Sequence, residues 1–508
     1  MIVIYHNTIQ VTQVKKDDAE TLVVHNTNPA TVCYELASQF PTQWIVWCHE
    51  QCNDYLDHDA LQKYLHHKRV MLSHAVQEQP FLTDRIGYIE ENPFIQINKD
   101  VCYPTWLMHS IAGAVHAAVL NAVNNQLQPH KNFDYFLNSL AKNLQAQGLF
   151  CYQVLLLNTS NIASARHISS KQLFHFVKTH YKTQWTLFLL IAIWIFEKKF
   201  LVLPFLQSLF YRKQNIVFDP TKINVQSSKS IATATDIDVI IPTMGRATYL
   251  YDVLQDLNTQ TVLPKKVIIV EQDGDPTGKT QLGYLNEEQW QFEIVHHFIH
   301  QTGACNARNI ALAETTASWV FFADDDNRFD KHVLEQALQY LIMYGALVLT
   351  TSYLQKGEQK VFHHSRQWMT FGSGNSFVRG DLARSIPFDT DYEHGYGEDT
   401  DYGMQLRNRG IDILYQPAID LLHLKAPIGG FRKPITMPWH HKDVAPKPSP
   451  TVMLYRLRHT TTQQLKGYKL RLFLRQFRAA KTGNIFAFIK QFKTRWNASV
   501  KWATYLDN

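Results

Sequence analysis

The chain has 508 residues, of which 45% are apolar and 19% are charged. This composition is typical of a globular protein and excludes a disordered, collagen-like or coiled-coil chain. Six cysteines without a CxxC pair do not form a disulfide framework, and no apolar run is long enough for an ordinary transmembrane helix. The N-terminus lacks the pattern of a secretory signal, so we expect a cytoplasmic protein. The length of the chain predicts roughly three domains.

The first predicted domain, residues 1–225, resembles a degenerate copy of the second. TQWIVWCHEQ (42–51) aligns with ASWVFFADDD (317–326), and FDYFLNSLAKNLQAQGLFCYQ (133–153) echoes TDYGMQLRNRGIDILYQ (400–416). In the first alignment His49, Glu50 and Gln51 stand where the second domain has three aspartates. Two short echoes can also arise by chance. If the duplication is real, the first domain keeps the scaffold and does not catalyse.

An apolar helical segment is predicted at residues 185–211, within the first domain. Its run LFLLIAIWIF (187–196) is ten residues long, too short to cross a hydrocarbon layer of about 30 Å as a helix. Two interpretations stay open, a helix buried between domains and a shallow membrane contact that lies in the plane of the bilayer.

From Asp236 onward, strand and helix patterns alternate. Alternation of this kind predicts an α/β domain with a mostly parallel sheet covered by helices. Three predicted strands end in polar residues, at Thr243, at Glu271–Asp273 and at Asp324–Asp326. Ligands of open α/β sheets bind beyond the carboxyl ends of the strands, so these residues are expected to share one crevice.

The three adjacent aspartates 324–326 repel one another unless a cation or hydrogen-bond donors balance them. On an extended chain Asp324 and Asp326 point to the same side, while Asp325 turns away. Carboxylate oxygens suit Mg²⁺ or Mn²⁺, which usually binds together with substrate phosphates. The alternative is an acidic loop that caps the next helix.

A second acidic group, Glu398, Asp399 and Asp401, precedes a predicted helix and is flanked by glycines. A carboxylate at this position can act as a general base, or it can simply complement the helix N-terminus. His423 follows in the apolar sequence DLLHLKAP. It is either a metal ligand or phosphate neighbour, or a structural histidine.

Together these motifs resemble the family 2 glycosyltransferases, which have the GT-A fold. The motifs are DVIIPTMGR, VEQDGD, GACNARN, FFADDDN, FGSGNSFVRG, YGEDTDYGMQLRNRG and HLKAP, in the order and approximate spacing of the family. The last two are similar to the branch in which a Gly-rich ED motif is followed by a histidine ligand. The resemblance implies a Rossmann-like catalytic domain at residues 236–434, and a degenerate GT-A-like domain before it.

The resemblance also implies a mechanism. A nucleotide sugar, with a UDP-sugar favoured, would donate its sugar to a hydroxyl of a glycan or lipid-linked acceptor in cell-surface polysaccharide synthesis, with inversion at the anomeric carbon. Asp399 would be the catalytic base, with Asp401 as the alternative, and Mn²⁺ or Mg²⁺ would bind Asp326 and His423. The implied donor-binding residues are Pro242, Thr243, Arg246, Glu271, Asp273, Arg308, Asp324 and Asp325. The implied acceptor-binding residues are Trp368, Gly374, Asn375 and Glu398.

Two other functions compete with this interpretation. A sugar nucleotidyltransferase also uses a nucleotide and a divalent cation, but it needs a Gly-rich basic loop after the first strand, and PTMGRATYL matches this poorly. A non-catalytic carbohydrate-binding or scaffold protein would not require the full set of carboxylates in the second domain.

A proline-rich linker, residues 433–450, precedes a basic helical tail. Residues 451–508 hold twelve Lys or Arg and one acidic residue, which gives +11 in a chain whose net charge is +6. Apolar residues at helical spacing make this tail amphipathic, so it is predicted either to bind the inner face of the cell membrane or to pack on the body with a solvated basic face. No module that reads bases is recognisable, and we expect no nucleic-acid partner.

Overall fold

The computed structural model describes residues 1–17, 20–76, 81–95, 97–158, 168–231, 234–427, 436–440, 442, 444–480 and 484–507. The chain divides into two compact units. Unit 1 comprises residues 1–229, 408–410 and 460–478, and unit 2 comprises residues 230–407, 411–459 and 479–508. The predicted boundary near residue 225 therefore lies four or five residues before the observed one. The predicted end of the catalytic domain at residue 434 falls outside the described residues.

Unit 1 is an α/β unit. Its strands are β1 (Ile2–His6), β2 (Val11–Lys16), β3 (Glu20–Thr21), β4 (Trp44–His49), β5 (Val70–His74), β6 (Tyr103–Pro104), β7 (Ala112–His116) and β8 (Phe150–Val154). Its helices are α1 (Pro29–Gln39), α2 (His58–Tyr64), α3 (Ala117–Asn121), α4 (Phe133–Gln145), α5 (Ser170–His180), α6 (Thr183–Glu197) and α7 (Val202–Ser208). The strands form a mixed sheet in the order β3-β2-β1-β4-β7-β5-β8-β6.

Unit 2 contains the second sheet. Its strands are β9 (Ile237–Thr243), β10 (Lys266–Gln272), β11 (Glu293–Ile299), β12 (Trp319–Ala323), β13 (Asn327–Phe329), β14 (Val348–Gln355), β15 (Arg366–Gln367), β16 (Asn375–Arg379) and β17 (Leu414–His423). Its helices before the tail are α8 (Ala247–Asn258), α9 (Tyr284–Glu287), α10 (Ala304–Ala313), α11 (Val333–Tyr344), α12 (Gly380–Ser385) and α13 (Glu398–Asn408). The order of the strands is β11-β10-β9-β12-β16-β14-β17-β13, with β15 paired to β17.

The sheet of unit 2 is mixed, which corrects the prediction of a mostly parallel sheet. Strands β9 to β12 pair in parallel, and β14 pairs in parallel with β17. Strand β16 runs antiparallel to both of its neighbours, β12 and β14. A parallel pair needs a crossover connection, usually a helix, and the chain between β14 and β16 has no helix among its residues. The chain therefore returns through the sheet in the opposite direction.

Five strands in each unit follow the same plan. The order β1-β4-β7-β5-β8 in unit 1 and the order β9-β12-β16-β14-β17 in unit 2 have the same sequence of connections and the same strand directions. Trp44 and Trp319, which the sequence alignment places together, begin the corresponding strands β4 and β12. The duplication stays a prediction, and the common strand plan is the structural observation in its favour.

The predicted tail is divided between the two units. It forms α14 (Pro450–His459), α15 (Thr462–Ala480) and α16 (Ile485–Leu506), of which α15 belongs almost entirely to unit 1 and the other two belong to unit 2. Leu470 of α15 is part of the core of unit 1, and Phe488, Phe492 and Trp496 of α16 are buried. Much of the apolar side of these helices is therefore already covered by protein. Within the described part of the chain, no helix has both the length and the apolarity to cross a membrane.

Gly113 provides a test of packing in the sheet of unit 1. It lies opposite Trp47 on the neighbouring strand, and a Cβ atom at this position would overlap the Trp47 ring and the Leu72 carbonyl oxygen. Gly113→Ala is therefore expected to lower the free energy of unfolding by about 1–3 kcal/mol, as overpacking does elsewhere. Thermal or urea unfolding checks this. The control is Gly274→Ala, where the added methyl group meets only Thr302 Cγ2 at 3.4 Å; equal stability of the two variants would contradict the packing described.

Candidate active site

A cavity of about 530 Å³ opens at the carboxyl ends of β9, β10, β12 and β17 in unit 2. It is lined by Pro242, Thr243, Met244, Arg246, Gln272, Thr302, Gly303, Ala304, Arg308, Asp324, Asp325, Asp326, Ser373, His394, Tyr396, Glu398, Asp399, His423 and Lys425. The predicted crevice therefore exists, and it brings both acidic groups of the sequence together with two arginines. Its size suits a small organic ligand.

Asp325 is buried and faces the end of β9. It accepts hydrogen bonds from Thr243 Oγ1 and from Arg246 Nη1, each at 2.7 Å. Burial raises the pKa of Asp325 to about 6, although Arg246 and Thr243 act in the opposite direction. Asp325 thus fixes the loop after β9 and positions Arg246.

Asp324 is the more exposed of the aspartates and faces the cavity from another side. Arg308 Nη2 lies 3.2 Å from its Oδ1, and the Tyr353 hydroxyl lies 3.1 Å from its Oδ2. The backbone of Gly374 passes so close to this carboxylate that a Cβ atom there would overlap it. Gly374 therefore acts by leaving room for Asp324.

Asp326 and His423 form the pair that the sequence predicts as metal ligands. His423 Nε2 lies 3.6 Å from Asp326 Oδ1, and the Ala426 backbone N–H donates to Asp326 Oδ2 at 2.8 Å. The ring of Tyr353 stacks on the imidazole of His423 with centroids 4.6 Å apart. Burial acts to raise the pKa of Asp326, but the nearby His423, the hydrogen bond from Ala426 and the charge of Arg246 outweigh it, so the pKa lies below its usual value. Asp326 is thus held ionised.

The donor set fits a cation that takes most of its ligands from phosphate and water. A carboxylate and an imidazole 3.6 Å apart can reach one ion, and Mg²⁺-type sites commonly use only one or two protein carboxylates with substrate phosphates. In the described part of the chain, no cluster of three or more His, Cys, Asp or Glu is arranged to hold a metal. The arrangement therefore does not fit a site made by side chains alone.

Glu398 and Asp399 begin α13 and line the same cavity. Removal from water and then repulsion from Asp399 raise the pKa of Glu398. Removal from water also raises the pKa of Asp399, although Arg308 and hydrogen bonds from Ser373 oppose this shift. Asp399 Oδ1 has no hydrogen-bond partner among the described residues. One buried oxygen of this carboxyl group is therefore left without a hydrogen bond from the described residues.

Asp401 does not line the cavity, although it is only two residues from Asp399. Both of its carboxylate oxygens are occupied, Oδ1 by His459 Nε2 at 2.7 Å and Oδ2 by Gln405 Nε2 at 2.8 Å. It is also buried, with 3% of its surface exposed. Asp401 thus attaches α13 to α14, and of the two candidate bases Asp399 lines the cavity and Asp401 does not.

The predicted donor-binding residues separate into two groups. Pro242, Thr243, Arg246, Arg308, Asp324 and Asp325 line the cavity, whereas Glu271 and Asp273 do not. The carboxylate of Glu271 accepts from Thr280 Oγ1 at 2.5 Å and lies 3.0 Å from His296 Nε2. Asp273 accepts from the Asp275 backbone at 3.1 Å. The residue between them, Gln272, reaches the cavity instead, because adjacent side chains of β10 point to opposite faces of the sheet.

Of the predicted acceptor-binding residues, only Glu398 lines the cavity. The ring of Trp368 stacks on Tyr415, with centroids 4.3 Å apart. Asn375 is buried and donates from Nδ2 to the Thr351 carbonyl at 2.9 Å, which joins β16 to β14. The structure therefore gives Trp368 and Asn375 packing contacts outside the cavity.

Sequence reasoning missed several residues at the site. His394, Tyr396 and Lys425 line the cavity without having been singled out, whereas Ser373 lies within the segment 372–376 that was expected on the acceptor side. Lys425 lies within the HLKAP motif that pointed to His423, so the motif itself could have suggested it. Tyr353 belongs to the end of β14, and the rule that ligands lie beyond strand ends could have identified it.

Comparisons with known proteins agree with the position of this site. Residues 238–396, which include most of the cavity, match the family model described as Glycosyl transferase family 2. Two curated proteins named as uncharacterized glycosyltransferases, from Rickettsia felis and Rickettsia conorii, are each 24% identical to this chain over 150 residues. Each match covers 30% of this chain and only 24% of the relative.

Among solved structures, the chain is similar to S. aureus TarS. The crystal structure of TarS 1–349 in complex with UDP-GlcNAc is 15% identical, with a TM-score of 0.38 over 53% of this chain and 81% of that chain. A crystal structure of TarS is 16% identical, with a TM-score of 0.34 over 46% of this chain and 42% of that chain. These scores are too low to transfer a fold or a ligand. The family match over residues 238–396 supports a family 2 glycosyltransferase domain in unit 2.

Proposed function

We propose that unit 2 is an inverting, metal-dependent glycosyltransferase that moves a sugar from a nucleotide sugar to an acceptor hydroxyl. The observation that carries this proposal is one cavity that is lined both by Asp326 beside His423, with the pKa of Asp326 lowered, and by Asp399, whose pKa is raised. A transferase of this class needs a charge-balanced place for a diphosphate and a separate base for the acceptor. We assign both roles to residues of this cavity, and Asp326, Arg246 and Arg308 lie within the region that matches the family.

The diphosphate side is formed by Asp326, His423, Arg246 and Arg308. Asp326 and His423 would hold Mn²⁺ or Mg²⁺, which when bound supplies positive charge to the diphosphate leaving group. Arg246 and Arg308 line the same cavity and are held by Asp325 and Asp324. Their rigid placement fits them to orient a phosphate without large rearrangement. A UDP-sugar is the donor that the family resemblance favours.

The acceptor side is formed by Asp399 with Glu398. One oxygen of Asp399 has no hydrogen-bond partner among the described residues. The carboxylate would take the proton of the acceptor hydroxyl while the oxygen of that hydroxyl attacks the anomeric carbon. The bond from the anomeric carbon to the nucleoside diphosphate breaks on the opposite face, so the configuration inverts. We propose a glycan or a lipid-linked acceptor, as in the synthesis of cell-surface polysaccharides.

Unit 1 is proposed to support rather than catalyse. At the end of β4, His49 occupies the position of Asp324, and its Nδ1 accepts from the Gln51 backbone. His6 at the end of β1 is fully buried, and its Nε2 lies 2.9 Å from the Ser110 carbonyl. Burial lowers the pKa of His6 to about 4, so this ring is neutral near pH 7. The ends of β1 and β4 therefore carry histidines, and of the three aligned positions after β4 only Glu50 is acidic.

The role of Asp326 is tested by slow hydrolysis of a nucleotide sugar without acceptor. Wild type with Mn²⁺ is expected to release nucleoside diphosphate, and Asp326→Ala to reduce this by at least about 10²-fold, because the diphosphate loses its cation. A screen of nucleotide sugars with a coupled diphosphate assay measures the rate. The control is Asp381→Ala, an exposed carboxylate paired with Arg379 at the end of β16 away from the cavity. Equal rates for the two variants would contradict the metal assignment.

The choice between Asp399 and Asp401 is tested by a pair of isosteric variants. Asp399→Asn is expected to lower kcat by about 10³-fold with little change in the melting temperature, because only the proton acceptor is lost. Asp401→Asn is expected to lower the free energy of unfolding by about 1–3 kcal/mol, because His459 loses its buried partner. Steady-state kinetics and thermal unfolding separate the two effects. The reverse pattern would make Asp401 the base.

The pH dependence follows from the raised pKa of Asp399. A base must be deprotonated to act, so kcat/KM is expected to rise with pH and to be lost as the pH falls through the pKa of this carboxyl. Since removal from water raises that pKa, the loss should begin above the range of an ordinary aspartate, about pH 4. A profile of kcat/KM against pH measures the midpoint. A midpoint at or below the ordinary value would exclude Asp399 as the base.

A further inference from the structure

Unit 1 exposes a dense group of apolar side chains on α6, on α7 and on the residues that flank α7. These are Leu187, Trp194, Ile195, Phe200, Val202, Leu203, Leu206, Leu209 and Phe210, each between 38% and 89% exposed. We call this group the α6–α7 apolar surface. Single exposed apolar residues are ordinary in proteins, but a concentration of nine within 24 residues marks an interaction surface.

Helix α6 is apolar both on its buried side and on its exposed side. Phe188, Leu189, Ala192 and Ile193 are buried in the core of unit 1. Leu187 and Trp194, seven residues apart and therefore on one side of the helix, are each 48% exposed. The core thus uses one side of α6, and the other side is presented to the surroundings.

The exposed side chains of α6 and α7 are joined into one surface. The ring of Phe200 lies 5.4 Å from the ring of Trp194 between centroids, which connects the end of α6 to the segment before α7. On α7 and just beyond it, Leu203, Leu206 and Phe210 follow at spacings of three and four residues, the spacing of one helix face. Phe210 is 89% exposed.

The charges around this surface are positive. Lys182, Lys198, Lys199, Arg212 and Lys213 flank the two helices and are exposed. The one acidic residue between positions 182 and 213 is Glu197. Its carboxylate is engaged by Arg85, with Nη2 to Oε2 at 2.6 Å and Nε to Oε1 at 3.0 Å. An occupant of this surface therefore meets apolar side chains bordered by cations.

We infer that the α6–α7 apolar surface docks on the headgroup region of an anionic lipid bilayer, with both helices lying on the membrane. An anionic bilayer offers an apolar layer beneath negative charge, which matches this surface in both respects. Trp194 beside the flanking lysines is typical of residues at the boundary between lipid and water. With 15 residues, α6 is about 22 Å long, shorter than the hydrocarbon layer, so it lies on the bilayer rather than across it.

A second copy of this chain is the competing occupant. In a symmetric dimer the same surface would face itself and bring the two sets of lysines and arginines close together. Like charges at such a contact weaken it, whereas anionic lipid headgroups strengthen it. The bilayer therefore fits the observed charges better. This inference does not depend on the proposed transferase activity.

The test is flotation of the full chain with vesicles of phosphatidylcholine alone and with about 30 mol% phosphatidylglycerol. Wild type is expected to float with the anionic vesicles. The triple variant Phe200→Ser, Leu203→Ser and Phe210→Ser is expected to reduce the bound fraction at least about tenfold, because three buried contacts with lipid are lost. These side chains are 66–89% exposed, and circular dichroism checks that the variant folds.

The control is Val361→Ser, which removes an exposed apolar side chain, 76% accessible, from the segment between β14 and β15. It is expected to leave flotation unchanged. A charge variant, Lys198→Glu with Lys199→Glu, alters no apolar contact and is expected to weaken binding to the anionic vesicles alone. The inference is overturned if wild type does not float with anionic vesicles, or if the triple variant floats as well as wild type. It is also overturned if light scattering shows that wild type is a dimer and the triple variant is a monomer, while neither of them binds vesicles.

Discussion

The site of unit 2 depends on the balance of several partly or fully buried carboxylates by a few positive groups. Asp325 is held by Arg246 and Thr243, and Asp324 by Arg308. Where positive partners and hydrogen bonds suffice, as at Asp326, the pKa falls below its usual value; where they do not, as at Asp399, it rises. The same balance thus lowers the pKa of one carboxyl group in the cavity and raises the pKa of another. Different chemical roles follow from differences in local solvation and charge rather than from residue type.

Much of the catalytic architecture could be read from the sequence, because its strands are buried on both faces. Continuous apolar runs predicted β9, β10 and β12, and polar residues at their ends predicted the crevice. The direction of β16 could not be read in this way. It depends on the path of the chain from residue 356 to 374, where no helix imposes a parallel crossover. Local patterns determine strands, but strand direction follows from connections that have no regular pattern.

The site residues show a similar division. The acidic groups and His423 were found because each motif is contiguous in sequence and carries its own chemical signal. The role of Asp401 was not decidable, because its partner His459 lies 58 residues further along the chain. Glu271 was expected in the cavity and contacts His296 on β11 instead, since side chains alternate along β10 and the motif does not show which face meets the cavity. Long-range pairing of this kind has no local signal in the sequence.

The central claim is that Asp326 and His423 bind a divalent cation together with a nucleoside diphosphate. The most direct measurement is anomalous diffraction at the manganese edge from crystals soaked with MnCl₂ and UDP. The account predicts one strong peak within coordination distance of Asp326 Oδ1 and His423 Nε2, present only when the diphosphate is bound nearby. A cavity without a manganese peak, or a diphosphate bound away from these two side chains, would contradict it.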